Sequence, residues 1–148
     1  MKKHLLVLTP LIVLSQFISI GFLVFTSKIV VLDIGLIFQA LFLAFGVWAI
    51  KSVGEQNWSV YPLPNSNSSV SNSGPYNYVR HPMYTTLIFF FLPMVIRENN
   101  WYSWLFYGIL GLTLILKISF EEKQLIAKHP EYQDFKLATK YRLIPFVW

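Results

Sequence analysis

The chain has 148 residues and no cysteine; 55% of it is hydrophobic, 18% aromatic and only 13% charged, with a formal net charge of +5. This balance excludes an ordinary soluble domain and fits a single integral membrane domain. Without cysteine there are no disulfides and no thiolate metal sites, and the three histidines at 4, 81 and 129 lack ligand spacing, so no metal is expected.

The basic residues sit at the ends of apolar runs rather than along a polar face. They therefore speak for membrane topology, not for nucleic acid. Lys2 and Lys3 precede an apolar run from Leu5 to Phe25. That run is longer than the ~7–15-residue core of a signal peptide and reaches the ~20 residues needed to span a bilayer. It reads as a retained helix with Pro10 near its start. A short Ser27-Lys28 turn leads to a second span, Ile29 to Ile50. Asp33 lies near its beginning, at the interface. Gln39 reads as a polar residue turned toward another helix.

Residues 1–53 thus form two N-terminal helices, and 54–81 a polar loop. Asn65 to Ser73 is low in complexity and reads as loop. Trp58 and Tyr61 suit the headgroup level, and Pro62 and Pro64 argue against helix. Residues 82–148 follow as a helical hairpin and tail. A proline pushes the residue before it out of helical geometry and is itself favoured at the first helical position. His81 is therefore expected to be extended, with a third helix from Pro82 to about Ile96, bent at Pro93. Arg97-Glu98-Asn99-Asn100 is a polar turn. Trp101, Tyr102 and Trp104 open a fourth helix that runs to about Phe120, followed by Glu121-Glu122-Lys123 and an amphipathic tail.

The fold expected is an all-α integral membrane protein. It has about four transmembrane helices, the last two a short helical hairpin, and a cytoplasmic C-terminal tail. Lys2, Lys3, Lys51, Arg80, Lys123, Lys128, Lys136, Lys140 and Arg142 fall on one side, against Lys28 and Arg97 on the other. The positive-inside rule makes the first side, with both termini, cytoplasmic.

A short turn makes the last two helices antiparallel neighbours. Arg80, His81 and Tyr84 should therefore lie beside Lys117, Glu121 and Glu122. Two acids at a helix C-terminus oppose the macrodipole by ~0.3–1 kcal/mol each, so a cation should offset them: Lys117, Arg80, Arg142 or a ligand. The pair also reads as a solvated interfacial cluster. Lys117 either faces a polar cavity or snorkels to water. Arg80-His81 is either an interfacial anchor or, with the amides of Met83 and Tyr84, an anion site. Tyr76, Tyr78, His81 and Tyr84 suit a flat ring or a cation. The residues alone thus describe a polar site for a ligand with aromatic, anionic and cationic parts.

Gly74-Pro75-Tyr76-x-Tyr78-Val79-Arg80-His81-Pro82-Met83-Tyr84, then Glu121-Glu122-x-x-Leu125, Tyr132 and Arg142-Leu143-Ile144-Pro145, resembles the isoprenylcysteine carboxyl methyltransferase family. It is more distantly similar to phospholipid N-methyltransferases. The resemblance covers the chain from about Ser68 onward. The two N-terminal helices carry none beyond hydropathy.

The resemblance implies S-adenosylmethionine as methyl donor, in a cytosol-facing pocket of the last hairpin and tail. Tyr76, His81, Pro82, Met83 and Tyr84 would line it. Glu121 would hold the amino group, with Glu122 beside it, and residues 68–71 would give backbone contacts. Lys117 matches an arginine that orients the substrate carboxylate, and joins Arg80 and Arg142 as the expected catalytic set. The acceptor implied is a lipophilic small molecule reached from the lipid bilayer, in a bacterial or archaeal inner membrane. An amine or thiol acceptor would need a base, His81 or Tyr141. A sterol-type NADPH reductase and a non-enzymatic membrane scaffold are the alternatives.

Overall fold

The computed structural model describes residues 2–53, 73–145 and 147–148. The expected loop through 54–72, with Trp58, Tyr61, Pro62, Pro64 and the backbone contacts at 68–71, lies outside them. Among the described residues five α-helices occur: α1 (Lys2–Thr26), α2 (Ile34–Val53), α3 (Pro82–Glu98), α4 (Trp101–Lys128) and α5 (Tyr132–Ala138), with a 3-10 turn at Gly74–Asn77. No strand is present among the described residues. Leu8–Thr26, Ile34–Val53 and Trp101–Lys128 are each long and apolar enough to cross a bilayer. The chain is an all-α integral membrane protein. α3 has 17 residues, about 25 Å against a ~30 Å hydrocarbon core.

Several ends differ from the sequence expectation, each for a local reason. α2 starts at Ile34, not Ile29, because Asp33 Oδ1 accepts from the Leu36 amide at 3.1 Å and caps the helix. Arg97 and Glu98 belong to α3. Its C-cap is Asn99, with φ 43°, in the left-handed region that Asn tolerates. Asn100 then caps α4 by accepting from Ser103 N at 2.8 Å. α4 continues through Glu121 to Lys128, since Glu, Lys, Gln, Leu and Ala are all good helix formers. His129, which precedes a proline, stops it.

Glu121 and Glu122 therefore sit two turns inside α4. The macrodipole argument fails for them, because the effect decays within the last turn. His81 leaves helical geometry as expected, but at φ −126° and ψ 60° rather than fully extended.

The long helices pack as an up-and-down bundle. α1 lies along α4: Ser15 Oγ and Thr113 Oγ1 are 3.0 Å apart, and Phe22 stacks on Phe106 with centroids at 3.8 Å. α2 lies along α3, where Gly46 lets Thr86 approach so closely that a Cβ would meet its Cγ2 at 2.7 Å. Leu23, Met94, Val95, Leu110, Leu114 and Ile118 form the shared core. The outward residues, such as Phe25, Leu32, Ile34 and Trp101, are large and apolar, as a lipid-facing surface requires.

One end of the bundle is closed by Arg97. Its Nε and Nη2 donate to the two Asp33 oxygens at 3.0 and 2.9 Å, and its Nη1 donates to the Lys28 carbonyl at 2.9 Å. The Lys28 amide in turn donates to Glu98 at 3.1 Å. The α1–α2 connection is thereby fastened to the end of α3. Hydrogen bonding by Arg97 holds the Asp33 carboxyl below its ordinary value of 3.8. A depressed acid stabilises the fold above its unfolded pKa and loses that contribution as pH falls through the folded value. Thermal unfolding in detergent should therefore show an acid-sensitive step below about pH 4. Asp33→Asn should melt lower at pH 7 and lack that step; an unchanged acid profile would contradict the clasp.

Candidate functional site

The opposite end of the bundle gathers the residues that the sequence singled out. Gly74 takes φ +58°, and a Cβ there would collide with the Ser52 hydroxyl and press on Trp48. Only glycine fits this left-handed turn against the end of α2. The 3-10 turn then carries Tyr76 inward. Ala49, Tyr76, Tyr132 and Phe135 form a second buried cluster, flanked by Val53, Met83, Leu125 and Ile126. Burial pushes the Tyr76 phenol well above its ordinary range, and the Glu121 carboxylate adds to this. Burial does the same to Tyr132, with Glu122 adding. Both phenols stay protonated at neutral pH.

From Arg80 on, the chain is stitched to the tail. The Arg80 and His81 amides donate to the Tyr141 and Arg142 carbonyls, both at 2.9 Å. Thr85 Oγ1 donates to Leu143 O at 2.6 Å, and Thr139 Oγ1 donates to Tyr76 O at 3.1 Å. These backbone partners were invisible in the sequence, since nothing in side-chain identity marks residues 139–143 as acceptors.

Glu122 stands at the centre. Its side chain is 4% exposed. Arg80 Nε donates to Oε1 at 2.8 Å, and His81 Nε2 lies 3.4 Å from the same oxygen. Arg142 Nη2 reaches Oε2 at 3.2 Å and Lys136 Nζ comes within 3.7 Å of it. Arg80 also donates through Nη1 to the Thr139 and Lys140 carbonyls at 2.7 and 2.8 Å. Both Glu122 oxygens and most of the Arg80 fork are thus engaged within the protein, and Lys136 joins a group the sequence had not put there.

Glu121 differs. Its side chain is 28% exposed, Tyr84 Oη donates to its Oε2 at 2.8 Å, and His81 Nδ1 lies 3.8 Å away. No Lys or Arg contacts it among the described residues. The rings of His81 and Tyr84 are parallel within 7°, their centroids 5.5 Å apart. Lys117 lies over the opposite part of this group, 5.2 Å from the Tyr84 ring centroid. It is 2% exposed, and its ammonium donates to Gln16 Oε1 of α1 at 2.9 Å. Snorkelling is therefore excluded. Gln16 was missed; the signal was a polar residue one turn from Ser19 inside an apolar span.

Of the α3 N-terminal amides, that of Tyr84 donates to His81 O at 3.0 Å, so Met83 N alone keeps the anion-binding option. A cavity of about 170 Å³ lies between Tyr78 and Lys140–Tyr141. It is smaller than the ~300 Å³ of ordinary ligand pockets, and neither Glu121, Tyr84 nor Lys117 lines it.

The arrangement can do two things. The Glu122 cluster holds the tail over the start of α3. Glu121, with the Tyr76, His81 and Tyr84 rings, offers an unneutralised carboxylate and aromatic faces to a cationic, ring-bearing ligand. A first consequence concerns the cluster. Glu122→Gln leaves Arg80 buried without its acid and should cost about 3–5 kcal/mol in detergent unfolding. Glu122→Leu combined with Arg80→Met should recover much of that loss; equal losses in the single and double variants would contradict the pairing.

No characterised protein matches the chain. Residues 30–132 match the phospholipid methyltransferase family. The match takes in α2, which had shown only hydropathy, and it stops before Arg142-Leu143-Ile144-Pro145. It spans α2, the turn at Gly74, α3 and the acidic pair on α4, and by that match the chain belongs to the phospholipid methyltransferase family of membrane methyltransferases.

Proposed function

We propose that the chain transfers a methyl group from S-adenosylmethionine to a lipophilic acceptor, an isoprenylcysteine-like carboxylate foremost, at the cytoplasmic membrane face. The observation that carries this reading is Glu121: a partly exposed carboxylate, oriented by Tyr84 and, among the described residues, without a Lys or Arg partner. Family methyltransferases generally use S-adenosylmethionine, and the residues fit that group. Its ammonium suits Glu121. Its sulfonium and adenine suit the aromatic wall of Tyr76, His81 and Tyr84, with Met83 packed on the Tyr76 side. Pro82 starts α3 at the point that aims Met83 and Tyr84 at this wall.

The bound cofactor supplies an electrophilic methyl on a positively charged sulfur. Lys117 places a positive charge one helical turn before Glu121, where an acceptor carboxylate would dock. Glu121 and the Tyr76, His81 and Tyr84 rings would hold the donor as that methyl goes to the acceptor oxygen, and a neutral thioether would leave, the C–S electron pair remaining on sulfur. No proton moves, so no general base is required. The chain's work is then orientation and exclusion of water, worth up to ~7–11 kcal/mol in favourable cases. Arg80, Glu122 and Arg142 act by fixing the tail that closes the site.

Topology supports the cytoplasmic assignment. The site end carries Lys51, Arg80, Lys123, Lys128, Lys136, Lys140 and Arg142, whereas the other end has Lys28 and the Asp33-paired Arg97. With α3 packed between its neighbours, four crossings put both termini on the site side.

Calorimetry in detergent should show S-adenosylmethionine binding that Glu121→Ala and His81→Ala each weaken at least tenfold. Unchanged affinity in both variants would refute the site. A screen of prenylated and phospholipid acceptors with labelled methyl donor should then give transfer that depends on Lys117.

A further inference from the structure

Lys117 is a buried cation that lacks an acid. Its ammonium touches Gln16 and faces the Tyr84 ring. Glu121, one turn on, is engaged by Tyr84 instead. Among the described residues, no carboxylate is in ion-pair contact with Lys117. Buried charges are ordinarily paired, and in a membrane-spanning helix the cost of leaving one unpaired is high. An anion is the missing partner.

Gln16 shows where that anion would be held. Its Oε1 is occupied by Lys117, which leaves the carboxamide NH₂ as the donor Gln16 still has to give. No described group accepts from that NH₂. A lone lysine is a point charge, whereas arginine presents two parallel donors to an oxyanion. Lys117 and Gln16 together present two donors from two side chains. The seam around them has further unused polar capacity. Ser15 pairs with Thr113 across the same two helices, and the Ser19 hydroxyl, one turn from Ser15, is fully buried without a hydrogen-bond partner among the described residues. Gln16 lies on α1, outside the residues 30–132 that carry the family match.

We infer that α1 completes the acceptor site: Gln16 and Lys117 form a composite two-donor fork that holds the oxyanion of a lipophilic acceptor, a carboxylate or a phosphate, in the α1–α4 seam. This rests on the methyl-transfer reading for its purpose but not for its test. The acceptor head would sit between two helices whose outer faces meet lipid. Gln16 then sets acceptor preference by supplying the second hydrogen bond that a lysine cannot.

The test is equilibrium binding in detergent, with no methyl donor present. The probes are N-acetyl-S-farnesylcysteine against its carboxamide, and farnesyl phosphate against farnesol. The wild-type protein should prefer the anionic member of at least one pair by tenfold or more, and which pair responds tells carboxylate from phosphate. Gln16→Leu should lose most of that preference. Gln16→Glu, which pairs Lys117 internally and so guards against a folding defect, should abolish it. Lys117→Arg placed in the Gln16→Leu background should restore it, because arginine carries its own fork; a merely structural Gln16 would not be rescued this way. No anion preference in the wild type, or preference retained in both Gln16 variants, would overturn the inference. A wild type that shows the preference yet methylates neither acid would refute the proposed acceptor while leaving the anion site standing.

Discussion

The buried Glu122 carboxylate is the contact on which the site end depends. It draws Arg80 from the start of α3, Arg142 from the tail and Lys136 from α5 to one point on α4. Such a cluster is not a simple source of stability, since desolvating the charges offsets most of their attraction. Its effect is on register. Only one placement of the tail satisfies Glu122 and the Arg80 donors to Thr139 and Lys140 together. The backbone bonds from Arg80 and His81 to residues 141 and 142 then follow.

Three charged residues within two turns of α4 have different fates. Glu122 is neutralised inside the protein. Glu121 keeps a carboxylate oriented by Tyr84, with His81 nearby but no Lys or Arg in contact among the described residues. Lys117 is buried against a neutral amide and a ring. A helix places residues 117 and 121 on one face, so an acidic and a basic group stand one turn apart with Tyr84 between them. That is a suitable frame for bringing a cationic donor and an anionic acceptor together. The same frame makes α1 more than a membrane anchor, because it supplies the only side-chain hydrogen bond that the structure gives Lys117 among the described residues.

Much of this was legible in the sequence, for identifiable reasons. Pro82 marks the α3 start because proline restricts both itself and the residue before it. The polar turn read at Arg97-Glu98-Asn99-Asn100, which the structure shortens to Asn99–Asn100, makes α3 and α4 antiparallel, which alone brings Arg80, His81 and Tyr84 to Glu121 and Glu122. The helix ends were less legible. Glu-Glu-Lys reads as a surface break by polarity, yet these are helix formers, and the tail buries Glu122. The α2 start depended on an Asp33 cap that also needs Arg97, 64 residues away. Gln16 could not be assigned from sequence, since its meaning comes from Lys117, 101 residues away across the α1–α4 seam. The backbone acceptors of the tail carry no residue signature at all.

The most direct measurement is an experimental structure with S-adenosylhomocysteine bound, in which the amino group can be located. The account predicts this group within about 3 Å of a Glu121 oxygen, the adenine against Tyr76 and Met83, and Glu122 still held by Arg80 and Arg142. An amino group on Glu122, or a ligand seated in the Tyr78–Lys140 cavity with Glu121 uncontacted, would contradict it.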